Sequence, residues 1–268
     1  MNRRHLTFAC QGEDLVGTLD IGMASGTSGL LIVSGGHELR AGAWAGQAQL
    51  AARLADAGVP VFRFDRRGVG DSGGENPTFR HCQPDLAAAV SAFRSCAPHV
   101  TRLVAFGNCD AATALMLFAH GLPIDALVLA NPWTFEGEEA PPTMPASAIR
   151  DRYIAKLKNP RELWRLLTGG VNLAKLARGL RNAASTAPVP AGLVPDMQAG
   201  LAAFSGPAEI LLASGDRTAQ LFTQSWKSDD PRITRIASAS HSFSDDAARE
   251  WLFARLMAML TPEPSALP

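Results

Sequence analysis

Residues 30–33, 59–64, 103–106, 124–130 and 210–213 are short, almost uninterrupted apolar runs, and this recurrence constrains the chain more than any other feature. A strand with one wet face alternates apolar and polar residues; a strand covered on both faces does not. The intervening stretches change period. Trp44, Ala48, Ala51 and Leu54 recur at helical spacing, and so do Leu86, Val90 and Phe93. Apolar strands alternating with amphipathic helices imply an α/β fold, with a mostly parallel central sheet, helices on both faces and right-handed crossovers. Ahead of this pattern, residues 5–9 and 14–20 read as a hairpin turning at Gln11-Gly12-Glu13. Beyond it, a helix is expected near 218–226, a short strand at 233–237 and a last helix at 246–260.

The alternation stops at Asn131-Pro132-Trp133. From Thr134 to about Pro207 no strand-like run occurs. An acidic, proline-rich stretch at 136–142 leads into helical patterns around 149–157, 163–167 and 173–180. The expected organisation is a core of residues 1–133 and 206–268 with a helical cap at 134–205. Between Arg150 and Arg181 the cap carries nine Lys/Arg against Asp151 and Glu162. Such a run reads as the solvated face of amphipathic helices, or as a contact for an anionic partner such as an acyl-carrier protein, a polysaccharide or a membrane surface.

Composition excludes several classes. With 47% hydrophobic and 19% charged residues among 268, the chain can bury a core and is not of the disordered type. A formal net charge of zero gives no reason to expect nucleic acid. No apolar run approaches the roughly 18 residues of a spanning helix, and MNRRHLTFACQGEDL does not read as a signal peptide, so a soluble cytoplasmic protein is expected. Cys10, Cys82, Cys96 and Cys109 form no C-x-x-C pair and no zinc spacing, and no Walker A loop, dinucleotide fingerprint or metalloprotease helix is present. Neither a metal nor a cofactor is expected.

The chemistry concentrates at LVAFGNCDAATALMLF, residues 103–118. A strand, a tight turn at Gly107-Asn108-Cys109-Asp110-Ala111 and an alanine-rich helix are the layout of a nucleophile elbow, with cysteine in the slot serine usually fills. A helix N-terminus favours the thiolate, the reactive form. The other reading of Cys109 is an inert core thiol. Asp216 follows the 210–213 strand, where a carboxylate can orient a histidine or cap the next helix. His241, between the last strand and the last helix, is the candidate base; otherwise it is a loop histidine bonded to backbone. Oxyanion donors are expected from the N–H groups of His37 and Asp110, with Gly36 or Glu38 in place of His37 if the loop is shifted. Asn108 and Trp133 are expected to line the substrate site. Asp110 is the odd residue, since a carboxylate beside a thiolate opposes its ionisation. It either favours the helix start or meets a cation, such as a cap arginine or a cationic substrate group.

Nucleophile, acid and base in that order, each on a loop after a strand, resemble the α/β-hydrolase arrangement, and FDRRGVGDSGG resembles the D-x-R-G-x-G-x-S loop of that superfamily. More narrowly, GNCDAATAL, NPW and RYIAKLKNPRELWRLLTGGVNL resemble the exosortase A system-associated hydrolase 1 family over residues 30–260. The resemblance implies a bacterial cytoplasmic hydrolase linked to exopolysaccharide and exosortase machinery, with Cys109, Asp216 and His241 as its triad. The expected reaction is cleavage of an ester, thioester or lactone, on a small or carrier-bound acyl substrate, through an acyl-cysteine. The alternatives are acyl transfer to a sugar or amine, and a catalytically quiet protein docking through its basic cap.

Overall fold

Gln11 and Gly12 both hold positive φ, 50° and 88°, the backbone of a two-residue hairpin turn. They join β1 (Asn2–Cys10) to β2 (Glu13–Ile21), with Cys10 opposite Glu13. Both strands extend beyond the residues their apolar alternation marks, because Arg3 on the mostly exposed β1 pairs with Asp20 at 2.6 Å and prolongs the ladder. The computed structural model describes residues 1–23, 26–135, 192–227 and 229–261.

The remaining strands are β3 (Ser28–Val33), β4 (Val61–Phe64), β5 (Arg102–Asn108), β6 (Ala126–Ala130), β7 (Ala208–Ala213) and β8 (Ile233–Ile236). They form one eight-stranded sheet in the order β1-β2-β4-β3-β5-β6-β7-β8. The pairings of β2 with β1 and β4 are antiparallel, and all others are parallel. The described helices are α1 (Gly46–Asp56), α2 (Gln83–Cys96), α3 (Asp110–Phe118), α4 (Leu193–Ala203), α5 (Arg217–Ser225) and α6 (Asp246–Leu260).

Side chains alternate across a strand, so a continuous apolar run feeds two cores at once. Leu31 and Val33 join Leu103, Ala105, Phe62, Phe93 and Leu115 on the face covered by α2 and α3. Leu30 and Ile32 join Val104, Phe106, Leu54 and Leu256 on the face covered by α1 and α6. Phe62 stacks on Phe93 with ring centroids 5.6 Å apart.

Two helices depart from their sequence pattern. α1 begins after Trp44 because Trp44 and Ala45 hold positive φ of 57° and 56°, outside the helical region. α4 is unanticipated, since LVPDMQAGLAA contains Pro195 and Gly200, both helix breakers in a pattern reading. Pro195 sits in the first turn, where a missing N–H costs no hydrogen bond. Gly200 permits close packing on α3: a Cβ there would lie 2.3 Å from the Met116 carbonyl oxygen. The helices expected at 149–157, 163–167 and 173–180, and with them most of the cap at 134–205, lie outside the described residues.

Candidate active site

In a parallel sheet, loops leaving the C-terminal ends of the strands gather along one edge. His37 follows β3, Cys109 follows β5, Asp216 follows β7 and His241 follows β8. The topology therefore brings the sequence-derived residues to one edge, and the loop geometry brings their side chains together.

Cys109 occupies the tip of the β5–α3 turn at φ 61° and ψ −127°, a conformation L-residues avoid unless neighbours hold it. The neighbours are identifiable. Its N–H donates to the Ala130 carbonyl at 3.0 Å, and its carbonyl accepts from the N–H groups of Thr113 and Trp133, each at 3.3 Å. Gly107 allows the turn to be this tight: a Cβ there would meet the Ala111 carbonyl carbon at 2.7 Å and the Ala112 nitrogen at 2.8 Å.

Asp216 is buried, and its Oδ2 accepts from the Ala219 N–H and faces His241 Nδ1, both at 3.0 Å. It is both the helix cap and the partner of the histidine, so its two sequence readings hold together. With Nδ1 turned to Asp216, the other ring nitrogen is left for a second partner. Burial works to lower the His241 pKa, but the bond to Asp216 and the pull of Asp216 and Cys109 outweigh it, and the imidazole is pushed up from 6.5 to about 10. Among the other thiols, Cys10 and Cys82 are buried, and burial first of all pushes each up to about 11. Cys96 is partly exposed.

Of the expected oxyanion donors, Gly36 has its N–H engaged by Asp110 Oδ1 at 2.6 Å. The backbone hydrogen bonds outside helices and strands include the Glu38 N–H, donated to Gly35, but not the N–H of His37 or Asp110. The His37 side chain is exposed. Asn108 and Trp133 have their polar groups occupied. Asn108 Nδ2 donates to the His241 carbonyl at 3.1 Å, and the Trp133 indole N–H donates to the Phe135 carbonyl at 2.7 Å.

A family model described as the alpha/beta hydrolase family matches residues 30–255, from β3 into the last helix and through all the loops just described. The chain belongs to that family. No curated protein matches the sequence. Solved structures similar to this hydrolase-family chain include the esterase Pf2001 of Pyrococcus furiosus, at 16% identity and a TM-score of 0.58 over 97% of this chain and 90% of that one. Proline iminopeptidase of Mycobacterium smegmatis is 13% identical with a TM-score of 0.60, over 96% and 97% of the two chains. A thioesterase domain from the curacin biosynthetic pathway is 13% identical with a TM-score of 0.56, over 96% of this chain and all of that one. The alpha/beta hydrolase fold is what these share.

In this family member one site residue escaped the sequence reading. Asn131, fully buried at φ 40°, directs Nδ2 to the His241 carbonyl at 3.1 Å and to Asn108 Oδ1 at 3.3 Å, while Oδ1 accepts the Ala213 N–H at 2.9 Å. It ties the ends of β6 and β7 to the histidine loop. The available signal was an asparagine directly after a strand, a residue type that tolerates positive φ. Beside the edge lies a cavity of about 380 Å³, whose lining includes Trp44, Leu50, Phe106, Asn108, Phe243 and Leu252. Among the described residues no group of three or more His, Cys, Asp or Glu is placed to hold a metal ion, and no helix is long and apolar enough to cross a membrane.

Proposed function

We propose that this hydrolase-family protein cleaves activated acyl compounds, namely an ester, thioester or lactone, through an acyl-cysteine on Cys109. His241, bonded to Asp216 at 3.0 Å and raised in pKa by Asp216 and Cys109 together, is the observation that supports this chemistry. Its raised pKa suits a thiolate–imidazolium pair, in which the proton already resides on the ring. The thiolate attacks the carbonyl carbon and forms the C–S bond, while the carbonyl π pair moves to oxygen. The oxyanion is held by the N–H groups of His37 and Asp110. On collapse the C–O or C–S bond of the substrate breaks, and the leaving group takes the proton from His241. Neutral His241 then removes a proton from water, hydroxide oxygen attacks the acyl-cysteine, and the Cys109 thiolate departs.

Amides are disfavoured, because a thiolate leaves more readily than an unprotonated amine. On the sequence resemblance to exosortase-associated hydrolases, we further propose a role in bacterial exopolysaccharide assembly in the cytoplasm, with contact between the basic 150–181 segment and an anionic partner as one alternative.

A panel of p-nitrophenyl esters and acyl-CoA thioesters of increasing chain length tests the reading, with Cys109→Ala as control. Turnover is expected for some members of the panel and a loss of at least about a thousandfold in the variant. Turnover that survives Cys109→Ala sinks the proposal.

A further inference from the structure

Arg66 is charged and only 2% exposed, and Asp110 sits immediately after Cys109. Neither side chain has a role in the steps above. Between them lies the backbone of Gly36. Asp110 Oδ1 accepts the Gly36 N–H at 2.6 Å. Arg66 Nη2 donates to the Gly36 carbonyl at 2.8 Å and to Asp110 Oδ2 at 3.3 Å, and Asn76 Nδ2 adds a second donor to that carbonyl at 3.3 Å. The Gly35 carbonyl accepts from the Glu38 N–H at 2.8 Å, closing the turn, and Gly36 holds φ of 52°. A side chain at Gly35 would place its Cβ 2.6 Å from Asp110 Oδ1 and 3.7 Å from the Cys109 Cβ, so the loop lies directly against the elbow.

The Gly36 carbonyl and the His37 N–H belong to the same peptide unit. In a planar trans peptide these two groups point in opposite directions. Fixing the carbonyl on Arg66 and Asn76 therefore fixes the His37 N–H on the other side. We infer that Arg66 is a positioning residue that aims the His37 N–H as an oxyanion donor by holding the Gly36 carbonyl, with Asp110 clamping the preceding peptide. This rests on the acyl-transfer reading above. It also accounts for the carboxylate beside the nucleophile. The cation that Asp110 meets comes from the Asp65-Arg66-Arg67 loop, whereas the sequence pointed to the cap or the substrate.

Alkylation and acyl transfer separate the roles. Iodoacetamide needs the thiolate but no oxyanion hole, whereas ester cleavage needs both. The double variant R66M/D110N removes both charges together, so the net charge beside the sulfur is unchanged. Its kcat on the best p-nitrophenyl ester is expected to fall about a hundredfold, the scale of one lost oxyanion donor. KM and the rate of Cys109 alkylation, followed by peptide mapping, are expected to stay within about threefold. D110N alone keeps an acceptor for the Gly36 N–H and is expected to lose less than tenfold.

A double variant with unchanged kcat overturns the inference, and so does one whose alkylation falls in parallel with kcat. If the double variant does not fold, R66A/D110N, which removes the same two charges and the donor to Gly36 without adding an apolar side chain, is read in the same way. If the wild type alkylates at Cys109 yet turns over no acyl substrate, the acyl-transfer reading fails by itself. A crystal structure of the variant then decides the brace: a rotated or disordered Gly36–His37 peptide supports it, and an unchanged one overturns it.

Discussion

Asp216 serves two partners with one oxygen, capping α5 through the Ala219 N–H and holding the His241 ring. Asparagine keeps the cap but not the charge, so Asp216→Asn isolates the second task. A group whose pKa is raised on folding holds its proton more tightly in the folded protein. The stabilisation from the His241 pair is therefore complete below its unfolded value of 6.5 and is lost as pH rises through about 10. In proton NMR titrations of the ring, wild-type His241 is expected to titrate near 10 and to move down toward 6.5 in Asp216→Asn. A wild-type midpoint already at the ordinary value would remove the basis for a thiolate–imidazolium pair. Cys109 and Asp216 were legible in the sequence because each follows an apolar strand run, and His241 because it stands between the last strand and the last helix. Asn131 was not, since its task is defined by a carbonyl that arrives from β8 more than a hundred residues later.

At the scale of elements, the site depends on α3 starting directly off β5. Gly107 makes that possible, because the atoms a Cβ would strike belong to the backbone of Ala111 and Ala112 and cannot rotate away. Gly107→Val is expected to cost at least about 1–3 kcal/mol, the range for overpacking a fixed site, measured as a lower urea midpoint. It should also slow Cys109 alkylation, since the elbow must shift. An unchanged midpoint would mean that the turn is not held as tightly as described. The strand runs and most described helices could be read from the sequence because period and burial agree there. α4 could not, because Pro195 and Gly200 suit their positions only through the first turn and the approach of α3. The start of α1 was misplaced for a related reason: the left-handed backbone of Trp44 and Ala45 belongs to the loop between β3 and α1.

Over the whole molecule, one sheet with a core on each face carries every proposed catalytic group on loops at one edge. The strands and their two cores are rigid supports, while the chemistry is set by turns: the elbow, the Gly35–Glu38 turn and the histidine loop. Family membership fixes the architecture, and the cysteine in place of the usual serine sets the question that remains for chemistry. Mixing the protein with a p-nitrophenyl ester and quenching in acid within the first turnover, then mapping peptides by mass spectrometry, addresses that question directly. The account predicts one acyl group on the peptide carrying Cys109, released by neutral hydroxylamine and absent from Cys109→Ala. Ester turnover with no acyl group on Cys109, or with the acyl group on another residue, would contradict it.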